Sequence, residues 1–278
     1  MALEIVEANS RRDREQFLRL PWRLYEDFPG WVPNLLTLQR SLLSEKKNPF
    51  FGHGRAQLFL ALRDGEPVGR VSAQIDERHN QQHDERTGFF GFFESVDDAA
   101  TARALLGAAE GWLKERGMDT VRGPSNFSLH EGLGLMIEGF DQPAMIMMPQ
   151  TLPYYPALVE AAGYRKAQDL LAYRWQIKEP PPRIKEAVER TRSASGLTLR
   201  TVSKRRLHQE VDVLLDIYLD AFSDNWGYVP VTRGEAQKFA DDLRLIGDSR
   251  LAIIAELDGE PIAMVIGVPN LYEVIRDF

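Results

Sequence analysis

Two stretches carry the same four letters: LALRDGEPVGRV at 60–71 and IIAELDGEPIAMV at 253–265. Each sets Asp-Gly between apolar runs. Asp and Gly tolerate the positive φ that a two-residue hairpin turn demands, so each stretch reads as a β-hairpin. Asp64 and Asp258 lie 194 positions apart, and other marks recur near that spacing. LEIVEANS (3–10) is answered by LTLRTVS (197–203), so Ser10 and Ser203 differ by 193. GWVP (30–33) is answered by WGYVP (226–230), with Pro33 and Pro230 differing by 197. A repeat of this length is a duplicated domain and not a solenoid unit. The alternative is two unrelated α/β segments that share a common turn. The organisation expected is a first half at 1–177, a linker at 178–196 (EPPPRIKEAVERTRSASG within it) and a second half from 197 to 278, cut short 20 residues after Asp258.

The rest of the first half fills in around its hairpin. SRRDREQFLRLPWRLYEDF is helical, with an interruption at Pro21. RHNQQHDERTG reads as a polar loop. GFFGFFE (88–94) is apolar on both faces, as a central strand is. SVDDAATARALLGAAEGWLKERG follows as a long helix, with Ser95 and Asp98 in a capping-box pattern and Gly117 at its end. DTVRGP is a short strand, PYYPALVEAAGYRKA a short helix, and DLLAYRWQI (169–177) another strand. The alternation in MIEGFDQPAMIMMP points to a buried strand, with an adaptable Met-rich surface as the other reading.

The chain has 278 residues, is 44% hydrophobic and carries a net charge of −7, so it has material for a core but lacks the overall basic charge of a nucleic-acid binder. It has no cysteine, which removes disulfides, thiolate nucleophiles and Cys-ligated zinc. No apolar run reaches the roughly 18 residues of a membrane span, and the N-terminus has no apolar signal core. A cytoplasmic protein with neither nucleic acid nor membrane as partner is expected, and a homodimer is compatible with everything read so far.

The order of elements resembles the GNAT acyltransferase fold, an α/β (α+β) architecture with a mixed central sheet flanked by helices. Two runs, GFFGFFESVDDAATARALLGAAEGWLKERGMDTVRGPSNFS (88–128) and GLMIEGFDQPAMIMMPQTLPYYPALVEAAGYRKAQDLLAY (134–173), together with DNWGYVP (224–230), resemble a bacterial family with two GNAT-like halves and no assigned substrate. The resemblance implies CoA-dependent acyl transfer to a small-molecule or peptide amine. GNAT enzymes bind the acetyl-CoA pyrophosphate at a Gln/Arg-x-x-Gly-x-Gly/Ala turn that opens a helix. The matching turn here is ESVDDAAT, with Glu94, Asp97 and Asp98 and no glycine or arginine. Carboxylates at a helix start satisfy its dipole and repel an anion. The first half is therefore expected to shape the acceptor site, and an acetyl-CoA or other acyl-CoA site belongs to the second half, past residue 278. No cofactor is expected for this chain alone, and the chain alone is expected to be inactive.

Candidate functional residues follow from the same comparison. In RGPSNFSLHEGLG (122–134), Asn126, Ser128, His130 and Glu131 lie beside the cleft where a GNAT sheet splays, so Asn126, Ser128 and Glu131 are substrate-binding candidates and Glu131 a candidate general base. The competing reading is a turn whose side chains satisfy local backbone. Tyr154 and Tyr155 are substrate-binding candidates, and the resemblance implies that one of them, Tyr154 as the catalytic candidate, takes the place of the late tyrosine that serves GNAT enzymes as general acid, against the alternative of rings packed on the core. Asn225 and Tyr228 are binding candidates of the second half, while Trp31, Trp226 and Tyr228 serve equally as core caps. His79 and His83 are four apart, but no third ligand is evident and no metal is expected. Lys204, Arg205 and Arg206 read as a solvated run. Two other classes stay open: a binding module that kept the fold without the chemistry, and a FemABX-type aminoacyl transferase.

Overall fold

The structure, a computed structural model, describes residues 2–176, 178–193, 196–243 and 247–276. The chain divides into two compact units. The first comprises Met1–Gln168 with Trp226–Val229 and Asn270–Phe278. The second comprises Asp169–Asn225 and Pro230–Pro269. The first unit thus ends at 168, not 177, and takes in two short later segments.

In the first unit β1 (Leu3–Glu7) leads into α1 (Arg11–Leu24) and α2 (Leu36–Leu42). β2 (Gly54–Arg63) and β3 (Glu66–Asp76) form the hairpin, whose turn holds Asp64 and Gly65 at φ 52° and 84°. Then come α3 (Glu77–His83), β4 (Thr87–Ser95), α4 (Ala99–Lys114), β5 (Thr120–Arg122) and α5 (Tyr155–Ala161). The strands stand in the order β1-β2-β3-β4-β5, all antiparallel except β4 with β5. A parallel pair needs a crossover, and α4 supplies it. This mixed sheet, with its long helix between the fourth and fifth strands, is the GNAT arrangement.

The sheet is buried on both sides because alternate residues of a strand face opposite ways. Phe59 and Ala61 pack with Leu105, Leu106 and Ala109 of α4. Leu58 and Leu60 pack with Phe17 and Leu18 of α1. A bulge interrupts β4: Arg70 opposes Glu94 and Ser72 opposes Gly91, which leaves one extra residue on β4. Phe92 takes φ 48° there. The bulge sends Phe92 to the α1 side while Phe90 and Phe93 stay on the α4 side.

Three expectations need correction. The polar loop at 77–83 is a helix, because the Asp76 carboxylate accepts the N–H groups of Arg78 and His79 and caps it. The Met-rich stretch is not a strand; Ile137, Met145, Met147 and Met148 are exposed on an irregular loop. Residues 169–176 form no strand either, and Leu171, Tyr173 and Trp175 are exposed, so an alternating pattern found no sheet edge to pair with there. Ile177 lies outside the described residues.

The second unit contains α6 (Pro182–Arg192), β6 (Leu197–Thr201), α7 (Leu207–Ala221), α8 (Arg233–Leu243), β7 (Ala252–Leu257) and β8 (Glu260–Ile266). Helix α6 occupies most of the expected linker. The sheet order is β6-β7-β8. Its register repeats that of β1-β2-β3: Leu3 pairs with Arg63 and Leu197 with Leu257, each partner displaced by 194. The bulges repeat as well, at Ala61/Leu62 and Ala255/Glu256. Arg200 ties the unit together by reaching Glu210 at 2.7 Å and Glu256 at 2.6 Å. A last helix, α9 (Tyr272–Ile275), counts with the first unit, where the Tyr272 hydroxyl donates to Asn34 at 2.5 Å.

Candidate functional site

The α4 N-terminus is the position at which the resemblance to GNAT enzymes implies a thioester donor. Asp98 caps it, and the helix starts at Ala99, so Asp98 and not Ser95 is the N-cap. The carboxylate accepts the N–H groups of Ala100 and Thr101, both at 3.2 Å. It also accepts the Thr101 hydroxyl at 2.6 Å and pairs with Arg63 at 2.5 Å. The Thr101 hydroxyl foremost, with the Ala100 N–H and Arg63 after it, holds the carboxyl at about 2 against the opposing pull of burial. The donors that would meet a pyrophosphate therefore face an ionised side chain. The residues present do not fit that group.

A stability prediction follows. A carboxyl held below its unfolded value stabilises the fold above that value and ceases to do so as pH falls through the folded one. Asp98→Ala should cost about 1 kcal/mol at neutral pH. The difference from wild type should vanish between about pH 4 and pH 2, as read from urea midpoints. An equal cost at every pH would show that the ionised carboxylate is not the stabilising group.

Beside β4 the sheet would splay open after β5, but the 123–126 segment runs along the strand and closes it. Ser125 N–H donates to the Phe90 carbonyl at 2.8 Å. Phe92 N–H, turned out by the bulge, donates to Asn126 Oδ1 at 2.7 Å. The Gln74 amide donates to the Ser125 carbonyl. Ser128 is buried; its hydroxyl accepts the His130 N–H at 3.3 Å, and its carbonyl accepts the Ser125 hydroxyl. Ser128 thus satisfies local backbone, and Asn126 satisfies the backbone of β4, 34 positions away. The space bounded by Asp76, His79, Ser125, Phe127 and Ser128 is too small for a water molecule. Glu131, at the tip of the same loop, is exposed.

Two histidines hold the Trp226–Val229 segment. His83 Nε2 lies 2.8 Å from the Tyr228 carbonyl, and His130 Nε2 lies 2.9 Å from the Val229 carbonyl. A carbonyl oxygen has no proton to give, so both rings carry hydrogen on Nε2. His79 is buried, its ring centroid 4.5 Å from that of His83 and tilted 39° to it. Burial foremost, and then the neighbouring His83, pushes its pKa down. No group of three potential metal ligands gathers among the described residues.

The two tyrosines close the end of β4. The Tyr155 hydroxyl donates to Glu94 at 2.6 Å and accepts the Ser95 N–H at 3.3 Å, on a ring with no exposure. The Tyr154 hydroxyl donates to the Ser95 carbonyl at 2.8 Å and is pushed up to about 12, by burial foremost and then by Asp97 and Glu94. Glu94 itself meets Arg70 at 3.4 Å inside the core. Asn225 is exposed in the second unit, and Tyr228 is half-buried in the first. Trp31 stacks on Tyr25 with centroids 5.0 Å apart and so caps the core.

Comparison with known proteins places the chain. It is 40% identical over 276 residues to the bacterial ceramide synthase of Caulobacter vibrioides, spanning 99% of this chain and 72% of that one. It is 36% identical over 270 residues to the protein YghO of Escherichia coli, spanning 96% and 68%. The chain belongs to the family of these two proteins. No family profile matches it. Among solved structures, a tandem GNAT protein from the clavulanic acid biosynthesis pathway covers 99% of the chain and 86% of its own, at 14% identity and a TM-score of 0.49. An aminoglycoside acetyltransferase from an uncultured soil metagenomic sample covers 64% and 96%, at 13% identity and a TM-score of 0.38.

In this family member, sequence reasoning missed the Arg70–Glu94–Tyr155 network and the paired grip of His83 and His130. Arg70 and Glu94 lie 24 positions apart, and only the β3–β4 register brings them together. His130 and Val229 lie 99 apart. One signal was available for a further feature: Arg12, Arg19 and Arg23 recur at helical spacing along one side of α1.

Proposed function

We propose that the protein transfers an acyl group from a CoA thioester to the amine of a long-chain amino alcohol. The relationship to a protein named ceramide synthase carries this reading, because a ceramide is the amide of such an amine with a fatty acid. The first unit serves the acceptor side, since its own donor position is filled by Asp98. An amine attacks a thioester only as the free base, so a proton acceptor is required, and exposed Glu131 is the proposed one. Asn126, Ser128, Tyr154 and Tyr155 then act as the frame of that wall, and Tyr228, in the same unit, is its proposed neighbour, while Asn225 stays a binding candidate of the second unit.

The experiment is to incubate a form of the protein extended to the length of the two relatives with a long-chain acyl-CoA and a long-chain amino diol and to detect the amide by mass spectrometry; the 278-residue chain alone, whose donor position is filled, is the control expected to stay inactive. Amide formation is expected, and Glu131→Gln should lower kcat by about 100-fold with KM little changed. Undiminished turnover in that variant would remove Glu131 from the proposed role. The filled donor position also favours a second reading, a binding module without chemistry. Amine binding by calorimetry with no amide formed would decide for it.

A further inference from the structure

An open groove lies away from β4. It runs along α1 with a volume of about 700 Å³, and Leu20 and Pro67 are among the residues that line it. Four arginines line it, Arg11, Arg12, Arg19 and Arg23, against two glutamates, Glu15 and Glu66. Arg12, Arg19 and Arg23 stand at i, i+7 and i+11, which superposes them within a narrow arc of the helix. Glu15 is shared by Arg19 at 2.7 Å and Arg40 at 2.8 Å, and Glu66 pairs with Arg23 at 3.4 Å. Asp13 is taken up by the Ser10 cap. Arg11 and Arg12 are exposed and have no carboxylate partner among the described residues. A cationic strip therefore stands on a chain whose net charge is −7.

We propose that this strip is a docking surface for an anionic lipid bilayer. The three aligned arginines span about 16 Å of helix. They cannot converge on one phosphate, but they match a row of phosphate headgroups. The opposite side of α1 is committed to the core through Phe17, Leu18 and Pro21, so the helix cannot insert. Attachment is electrostatic, and the acidic remainder of the surface is repelled, which orients the molecule. No helix among the described residues is long and apolar enough to cross a membrane, and docking of this kind needs none. The inference is independent of the acyl-transfer reading, though a lipid acceptor would make it useful.

The test is co-sedimentation of the protein with vesicles of phosphatidylcholine alone and of phosphatidylcholine mixed with phosphatidylglycerol. Binding is expected only to the mixed vesicles, and it should fade as salt shortens the screening length. The triple variant Arg12→Gln, Arg19→Gln, Arg23→Gln should weaken partitioning by about 100-fold, roughly fivefold per charge. The triple Arg→Lys variant should retain binding, since point charge suffices. A control with the same change in net charge, Arg86→Gln, Lys114→Gln, Arg116→Gln, should bind as wild type does. Equal loss in the control, or wild-type binding by the first variant, overturns the proposal. So does a thermal shift with inorganic phosphate that the first variant abolishes while vesicles go unbound, which would mark a free-phosphate site. None of these readouts needs turnover, so a failure here and a failure of acyl transfer are told apart.

Discussion

Arg70→Met is expected to lower the unfolding free energy by about 3–5 kcal/mol, read as a drop in urea midpoint. Arg70 is 6% exposed. Its guanidinium donates to the Phe17 carbonyl at 2.6 Å, meets Glu94 at 3.4 Å and sits 4.9 Å from the Phe17 ring. Methionine replaces the stem but leaves a buried carboxylate with little beyond the Tyr155 hydroxyl. Burial already raises the Glu94 pKa, and Arg70 is the principal counterweight. Without it the carboxyl should take up a proton on folding. A folded pKa raised above the unfolded value gives stability that is present at low pH and lost as pH rises. The variant's deficit should therefore be smaller at pH 5 than at pH 8, and a second change, Glu94→Gln, should recover most of it. A loss under about 1 kcal/mol, or one that is flat with pH, would mean that the pair contributes no more than its packing.

Gly91→Ala is expected to cost about 3 kcal/mol, at the upper end for an overpacked site. A Cβ at this position would overlap the Ser125 carbonyl oxygen. That oxygen cannot retreat freely. Ser125 N–H donates to Phe90, the Gln74 amide donates to Ser125, and Asn126 holds the Phe92 N–H. The added methyl must therefore break several bonds at once or bend β4. Hydrogen exchange should report the release as faster exchange at the Phe92 and Ser125 amides, with little change in β2. Wild-type stability in this variant would show that the 123–126 segment is not pinned against the strand.

The two sites differ in how much of them could be read in advance. That carboxylates fill the start of α4 was legible, because helix capping is local, although the cap proves to be Asp98 and not Ser95. Its consequence, a filled anion position, followed from the same residues. The reading of 122–134 kept two meanings open, and the structure shows Ser128 on local backbone and Asn126 on the backbone of β4. The Met-rich loop and the 169–176 segment were misread for one reason. Alternation reports that a stretch could lie in a sheet, but a strand exists only where an edge offers backbone partners. At 77–83 the error ran the other way: polar composition concealed a helix whose cap, Asp76, ends the preceding strand.

By itself the sequence determined the periodic and local features. These are the two Asp-Gly hairpins, the long helix α4 and the carboxylates at its start. Each depends on residues a few positions apart, where backbone geometry fixes which side chains are neighbours. Only the tertiary structure decided that Arg70 faces Glu94, that His83 and His130 hold consecutive carbonyls, and that the 123–126 segment closes β4. Those contacts join residues separated by 24 to 145 positions. They depend on strand register and on one bulge, and a shift of a single residue would turn every side chain of the strand to the other face.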